Sequence, residues 1–220
     1  MKNLFKILLT AAALVLTFTS CSEHLNSEND DFANNWKGQN TAAFAEHMKQ
    51  AKAAIATAKA QYGSDWEAHC NYRIYRYFGY TDNTKASIND SICIEIVKQG
   101  TGSGCPLYTD SVSMNYMVRL IPSANYPAGK LIDHSGQTIN EEDIFSTTHS
   151  APRHFLVSAQ ISGMQTALQH MHIGDRWRIY IPSDLAYGSN NLLGSSGIPA
   201  YSMLRFDVEL KAYARVGTKL

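Results

Sequence analysis

The sequence predicts an α+β fold, with short alternating strands and helical segments before and among them. Three observations carry that reading. Near the C-terminus, Trp177, Ile179 and Ile181 alternate with Arg176, Arg178 and Tyr180, and then Leu204, Phe206, Val208 and Leu210 alternate with Arg205, Asp207 and Glu209. Period two of this kind is the mark of half-buried strands. Between the two strands lies a Gly/Ser/Asn-rich loop that retains Leu185, Tyr187, Leu192, Leu193, Ile198 and Tyr201. Apolar residues kept in such a loop wall in a cleft at the edge of a sheet. Finally, Gln39 to Tyr62 is alanine-rich, with apolar residues at spacings of three and four, which is helical periodicity.

At 220 residues, 45% hydrophobic and 17% charged, the chain can bury one good core and a smaller appendage. Its formal net charge is zero. Loss of a leader that carries Lys2 and Lys6 but no acid changes that by two, to about −2. No basic run or stripe is present to displace counterions from phosphate, so nucleic acid is not an expected partner.

Taken in order, residues 1–20 read as a secretion signal: Lys2 and Lys6, an apolar run from Ile7 to Phe18, then Ser20 before Cys21. The run is too short for a bilayer span, which needs about twenty apolar residues. Phe18-Thr-Ser-Cys21 resembles a bacterial lipobox, with Phe18 where Leu is usual. That resemblance implies that Cys21 is the lipidated mature N-terminus and the membrane anchor; an ordinary cleaved signal followed by a cysteine is the alternative. Glu23, Glu28, Asp30 and Asp31 resemble the surface-export signals of some double-membrane bacteria. The implied location is the cell envelope, at the outer membrane, on the periplasmic or the surface face. Residues 21–38 are polar and acidic, as suits a solvated tether.

Residues 39–85 come next. The helix from Gln39 to Tyr62 has Asn40 or Thr41 as a candidate N-cap and Gly63 as a stop. Phe44, Met48, Ala51, Ile55, Ala58 and Tyr62 form one narrow seam, which either packs on its own chain or pairs the stretch 41–62 with a second copy. Trp66, Tyr72, Tyr75, Tyr77, Phe78 and Tyr80 then crowd a strand or extended arm with both sides partly covered. Such a mix can stack on bases or sugars or pack against the following domain. Cysteines Cys70, Cys93 and Cys105 remain after Cys21, an odd set that allows one internal disulfide, with Cys93 and Cys105 as the candidate pair.

Residues 86–220 hold the main domain. Ser91 to Lys98 alternates, and the glycine-rich Gln99 to Gly104 lacks the spacing and the following helix of a phosphate cradle. Val112, Met114, Tyr116, Val118 and Leu120 give another inward face. Ile121 to Asp143 is a long polar excursion, either recognition surface or slack. Phe155 and Val157 suit a core strand, and Ile161, Met164, Leu168 and Met171 one face of a short helix ending before Gly174. No cofactor motif appears. His170-x-His172 is the tightest candidate metal pair, at a helix end where the dipole also favours histidine, and no metal is expected. A G-x-S-x-G elbow is missing, which argues against a hydrolase.

The run Gly174-Asp-Arg-Trp-Arg-Ile-Tyr-Ile-Pro-Ser-Asp-Leu-Ala-Tyr-Gly188, then Gly197-Ile-Pro-Ala, then Leu204-Arg-Phe-Asp-Val-Glu-Leu210, resembles the C-terminal half of an FKBP-type peptidyl-prolyl isomerase domain. That resemblance implies a curved antiparallel sheet wrapped around one short helix, preceded here by the N-terminal helical segment. It implies proline-containing polypeptides as substrates, and Tyr116, Phe145, Ile161, Met164, Tyr187, Ile198 and Phe206 around a proline cleft. Tyr187, Tyr116 and Phe206 would serve catalysis, with the Tyr187 hydroxyl donating to the substrate carbonyl. Phe145, Ile161, Met164 and Ile198 would bind substrate. Three departures stand out: Ser146 after Phe145 replaces the aspartate of the family's F-D-S-S segment, Met164 replaces the tryptophan of V-I-x-G-W, and Arg153 falls near an aromatic wall. They imply a weakened isomerase in envelope protein folding, or a non-catalytic domain that binds peptide segments or an envelope partner.

Overall fold

The computed structural model describes residues 30–81, 86–137, 140–146 and 148–220. The expected leader, Cys21 and the start of the tether lie outside the described residues. Helix α1 (Asp30–Ala33) is one turn, and α2 (Trp36–Tyr62) is the long N-terminal helix. Strands β1 (Tyr72–Arg76), β2 (Ser91–Lys98), β3 (Ser111–Arg119), β4 (Leu131–His134), β5 (Arg153–Leu156), β6 (Arg176–Ile181) and β7 (Leu204–Ala214) form the sheet. Short helices α3 (Glu141–Ile144), α4 (Ser162–Leu168) and α5 (Leu193–Ser196) interrupt them.

The strands run β1-β2-β6-β7-β3-β4 in one antiparallel sheet, with β5 also on β3. Strands β5 and β4 share one edge of β3: β5 faces Ser111–Met114 and β4 faces Met117–Arg119. Register shifts at Ile96/Lys98, Ser113/Met114 and Val118/Arg119 bend the strands where they occur. Period two decides the two faces. Ile92, Ile94, Val112, Met114, Trp177, Ile179, Ile181, Val208 and Leu210 enclose the core with Met164, Ala167 and Leu168 of α4. Each large apolar side chain so buried contributes about 1.5–3 kcal/mol. Helix α4 approaches β6 closely because residue 163 is glycine: a Cβ there would lie 2.4 Å from Ile181 Cγ2.

The opposite face is covered by α2. Phe44, Met48 and Ala51 are buried in a second cluster with Cys93 and Tyr180, and the His47 ring stacks on Tyr180 at 3.7 Å. Asp207 and Glu209, expected outward on β7, do point to this face, yet both are buried; Arg178 lies 3.3 Å from Asp207 and 3.6 Å from Glu95. The aromatic arm contributes β1, paired to β2. Tyr75 stacks on His170 at 3.8 Å on the α4 side, while Tyr72 and Ile74 pack on the α2 side. No helix among the described residues is long and apolar enough to cross a membrane.

Four expectations change. Residues 30–38 pack rather than tether, since Phe32 and Trp36 are buried; their apolar rings in a polar stretch were the local signal. Helix α2 accordingly starts at Trp36 after Asn35 in the left-handed region (φ 52°), and Asn40 is a buried clamp within the helix, not its cap. The excursion after Ile121 contains β4, too short for period two to register. Cys70, Cys93 and Cys105 are all free thiols, because Cys93 faces α2, where its thiol donates to the His47 carbonyl.

Candidate active site

A cavity of about 550 Å³ opens between the upper ends of β3, β4 and β7 and the loops that follow β5 and β6. Strand β3 supplies Met114, Tyr116 and Val118, and β7 supplies Leu204 and Phe206. Strand β4 adds Ile132 and Asp133, β5 adds Phe155, and the turn before α4 adds Gln160 and Ile161. Tyr187, Ser196 and Ile198 close it from the loop between β6 and β7. The lining is mainly apolar and aromatic, as small-molecule and side-chain clefts are, and the volume suits one ring with its flanking chain.

One polar arrangement stands on its wall. The Tyr116 hydroxyl donates to Asp133 Oδ2 at 2.5 Å and accepts from Arg153 at 3.0 Å, and Arg153 reaches Asp133 Oδ1 at 3.4 Å. Asp133 Oδ1 also accepts from the His134 amide at 2.8 Å. Burial pushes the Tyr116 hydroxyl well above the usual phenol range, the hydrogen bond to Asp133 and its charge add to that, and Arg153 opposes it. The phenol therefore keeps its proton at neutral pH and serves as a donor to Asp133. Since the carboxylate and the guanidinium compensate one another, the cleft can accept an apolar ring without stranding a charge.

Five of the seven expected site residues meet here: Tyr116, Ile161, Tyr187, Ile198 and Phe206. Their roles separate. The Tyr116 hydroxyl is committed to Asp133 and Arg153, so it lines and orients rather than reaching a substrate carbonyl. Tyr187 is 38% exposed and its hydroxyl has no bonded partner among the described residues, which leaves it able to donate. The Ile198 carbonyl accepts from the Leu192 amide at 2.9 Å, fixing that loop on itself.

Phe145 and Met164 are elsewhere. The Phe145 ring lies 3.7 Å from the Arg176 guanidinium and takes no part in the cleft. Met164, on α4, is fully enclosed in the main core and is not among the residues that line the cavity. Ser146, expected where the family's segment has aspartate, has its Oγ accepting from the Thr148 amide in a local turn, and the carboxylate on the cavity wall is Asp133, within Ile132-Asp133-His134-Ser135. Nor does Arg153 displace the aromatic wall. Phe155, two residues on, supplies that ring edge-on to Tyr116 at 5.6 Å. Asp133 and Phe155 were missed because β4 and β5 are four-residue strands, and Ile132-Asp133 was the signal available.

Residues 108–211 match the model of the family described as FKBP-type peptidyl-prolyl cis-trans isomerase. This region is an FKBP-type domain. The FKBP-type domain is similar to the macrophage infectivity potentiator of Trypanosoma cruzi, 36% identical over 114 residues, 52% of this chain and 48% of that protein. It is also similar to the FKBP-type 22 kDa peptidyl-prolyl cis-trans isomerase of Escherichia coli K12, 32% identical over 124 residues, 56% of this chain and 50% of that one. A third relative is the outer membrane protein MIP of Legionella longbeachae, 33% identical over 105 residues, 47% of this chain and 36% of that protein. The chain thus spans about half the length of the first two relatives. The family match begins at residue 108, so β1, β2 and α2 complete the sheet and cover it from outside the matched region.

Proposed function

We propose that the chain is a peptidyl-prolyl cis-trans isomerase acting on proline-containing polypeptides, and the observation that carries this is the apolar cavity with the unpartnered Tyr187 hydroxyl at its mouth. An X-Pro amide must cross a barrier of roughly 18–20 kcal/mol because twisting it breaks resonance. No nucleophile or general acid is required. The twisted amide carries less charge separation than the planar one, so an apolar, water-poor lining disfavours the ground state more than the transition state. Tyr116, Ile161, Ile198, Phe155 and Phe206 would enclose the proline ring while Tyr187 donates to the carbonyl as it turns. Each 1.36 kcal/mol is tenfold in rate, so an acceleration of about ten-thousandfold needs only about 5–6 kcal/mol.

The enclosed position of Met164 favours one second reading, a domain that binds peptide segments with reduced turnover, because the residue standing where the resemblance implies a tryptophan is buried in the core and does not line the cavity. Protease-coupled or NMR exchange kinetics on peptides with Leu or Phe before proline separate the two. Acceleration over buffer supports the isomerase, and its absence in folded protein leaves the binder.

For location we propose the cell envelope, with Cys21 as lipid anchor at the outer membrane; support comes from Phe18-Thr-Ser-Cys21 and from a relative named as an outer membrane protein. Mass spectrometry of the exported chain detects or excludes the acyl groups. Against a homodimer through residues 41–62, Phe44, Met48 and Ala51 of the seam pack on the chain's own sheet. This supports a monomer, which sedimentation tests.

A further inference from the structure

We propose that the N-terminal segment is a working part of the cleft, with Trp36 and Asn40 as positioning residues that hold Ile198 and Leu204 where a peptide is received. The inference rests on the isomerase reading and adds to it a second requirement. Residues 189–203 are rich in Gly, Ser and Asn and carry only the four-residue helix α5, so their rigidity has to come from what packs on them. That support comes from α2. Trp36 Nε1 donates to Ser202 Oγ at 2.9 Å, and Ser202 Oγ in turn donates to the Pro199 carbonyl at 2.7 Å. Asn40 Oδ1 accepts from the Met203 amide at 2.7 Å, while Asn40 Nδ2 holds the Trp36 carbonyl at 2.8 Å. Trp36, Asn40 and Ser202 are all nearly inaccessible to water, where such bonds are strongest and their loss is least compensated.

The loop needs that support for a second reason. Tyr201 lies in the left-handed region at φ 62°, a conformation that non-glycine residues hold only when their surroundings over-determine it. Lys37 sits 4.3 Å over the Tyr201 ring. One residue before this clamped stretch is Ile198 and one after it is Leu204, both on the cleft wall. The same segment also grips the opposite side: Asp31 accepts from Ser123 Oγ at 2.9 Å and from the Asn125 amide at 3.1 Å, on the loop that leads into Ile132 and Asp133. Both lips of the cleft are therefore tied to residues 31–40, outside the family-matched region.

The test compares Asn40→Ala and Trp36→Phe with Met48→Ala, a control about 12 Å further along α2 whose side chain packs under the sheet. Two quantities are read well below each unfolding temperature: hydrogen exchange at the Met203 amide, and kcat and KM for an Xaa-Pro peptide. The expected result for Asn40→Ala is exchange faster by about tenfold and kcat/KM lower by about tenfold, carried mainly by KM, as a slightly misplaced wall predicts. Met48→Ala should lower the unfolding temperature and move neither quantity. Unchanged Met203 exchange, an unchanged kcat/KM in a loosened loop, or the same losses in Met48→Ala would each overturn the proposal. Should Asn40→Ala not fold, Ser202→Ala removes only the hydroxyl bridge and is read the same way. If the wild-type chain shows no isomerisation, the isomerase reading alone fails. The comparison is then made by NMR titration with a proline peptide, and equal binding by wild type and variant overturns the positioning role.

Discussion

Tyr116 and Asp133 share a 2.5 Å hydrogen bond across the β3–β4 pair, and this bond joins a cleft wall to a strand that forms within the long excursion. Removing the acid strands the Tyr116 hydroxyl and Arg153 together. Asp133→Ala is expected to destabilise the fold by about 1 kcal/mol and to cut kcat/KM several-fold, whereas Tyr116→Phe, which keeps the ring and leaves Asp133 its bonds to Arg153 and His134, should do less on both counts. Urea melts and peptide kinetics on the pair check the order, and a larger effect for Tyr116→Phe would contradict it.

Tyr187 is the opposite case, with a hydroxyl that the fold does not use. Tyr187→Phe should leave the unfolding temperature unchanged and reduce kcat/KM by about tenfold, the equivalent of one 1.36 kcal/mol interaction made only in the twisted state. Full activity in this variant would remove Tyr187 from the mechanism.

Packing in the main core sets a third expectation. Met164→Trp looks from sequence like restoration of a cavity floor, but Met164 is wholly enclosed, and forcing an indole into a filled core costs about 1–3 kcal/mol. Gly163→Ala should cost a similar amount, because its Cβ would meet Ile181 Cγ2 at 2.4 Å. Chemical denaturation measures both, and a stabilised Met164→Trp protein would mean that the core has room that the packing denies.

The thiols report on α2. Burial pushes the Cys93 thiol up to about 12, with the Glu95 charge adding to it. Native protein at pH 8 should therefore take up iodoacetamide at the half-buried Cys70 and Cys105 and spare Cys93, which mass spectrometry resolves. The folded state holds the Cys93 proton more tightly than the unfolded chain. Its contribution to stability is complete below the unfolded value near 9 and is lost as pH rises from there towards 12. Tyr180, raised to about 12 chiefly by burial, acts in the same direction. His47 has the reverse sign: burial lowers its pKa, so stability declines as pH falls through and below 6.5. A melting temperature that stays level from pH 8 to pH 11 would refute the alkaline part.

Strands β6 and β7 were legible because Trp177 to Ile181 and Leu204 to Leu210 alternate over enough residues for period two to stand out. Tyr187, Ile198 and Phe206 followed from the quoted motifs around them, while Tyr116 and Ile161 followed from the resemblance on β3 and before α4. Strand β4 was not legible, since Leu131 to His134 sit among Pro122, Pro127, Gly129 and Gly136 and repeat too briefly, and with β4 went Asp133. Phe145 satisfied the letter pattern of the family's segment while its ring serves Arg176. The role of Trp36 could not be read either, because a polar neighbourhood and a separation of 166 residues from Ser202 leave no local trace of a contact between them.

The packing of Phe32 and Trp36 also sets a leash length. Between Cys21 and Asp31 the chain can extend at most about 36 Å, at ~3.6 Å per residue. An acyl chain on Cys21 would thus keep the cleft mouth within roughly one domain diameter of the bilayer, sampling clients in a thin layer at the surface rather than through the depth of the envelope. Lengthening residues 22–29 by insertion would widen that layer without touching the cleft.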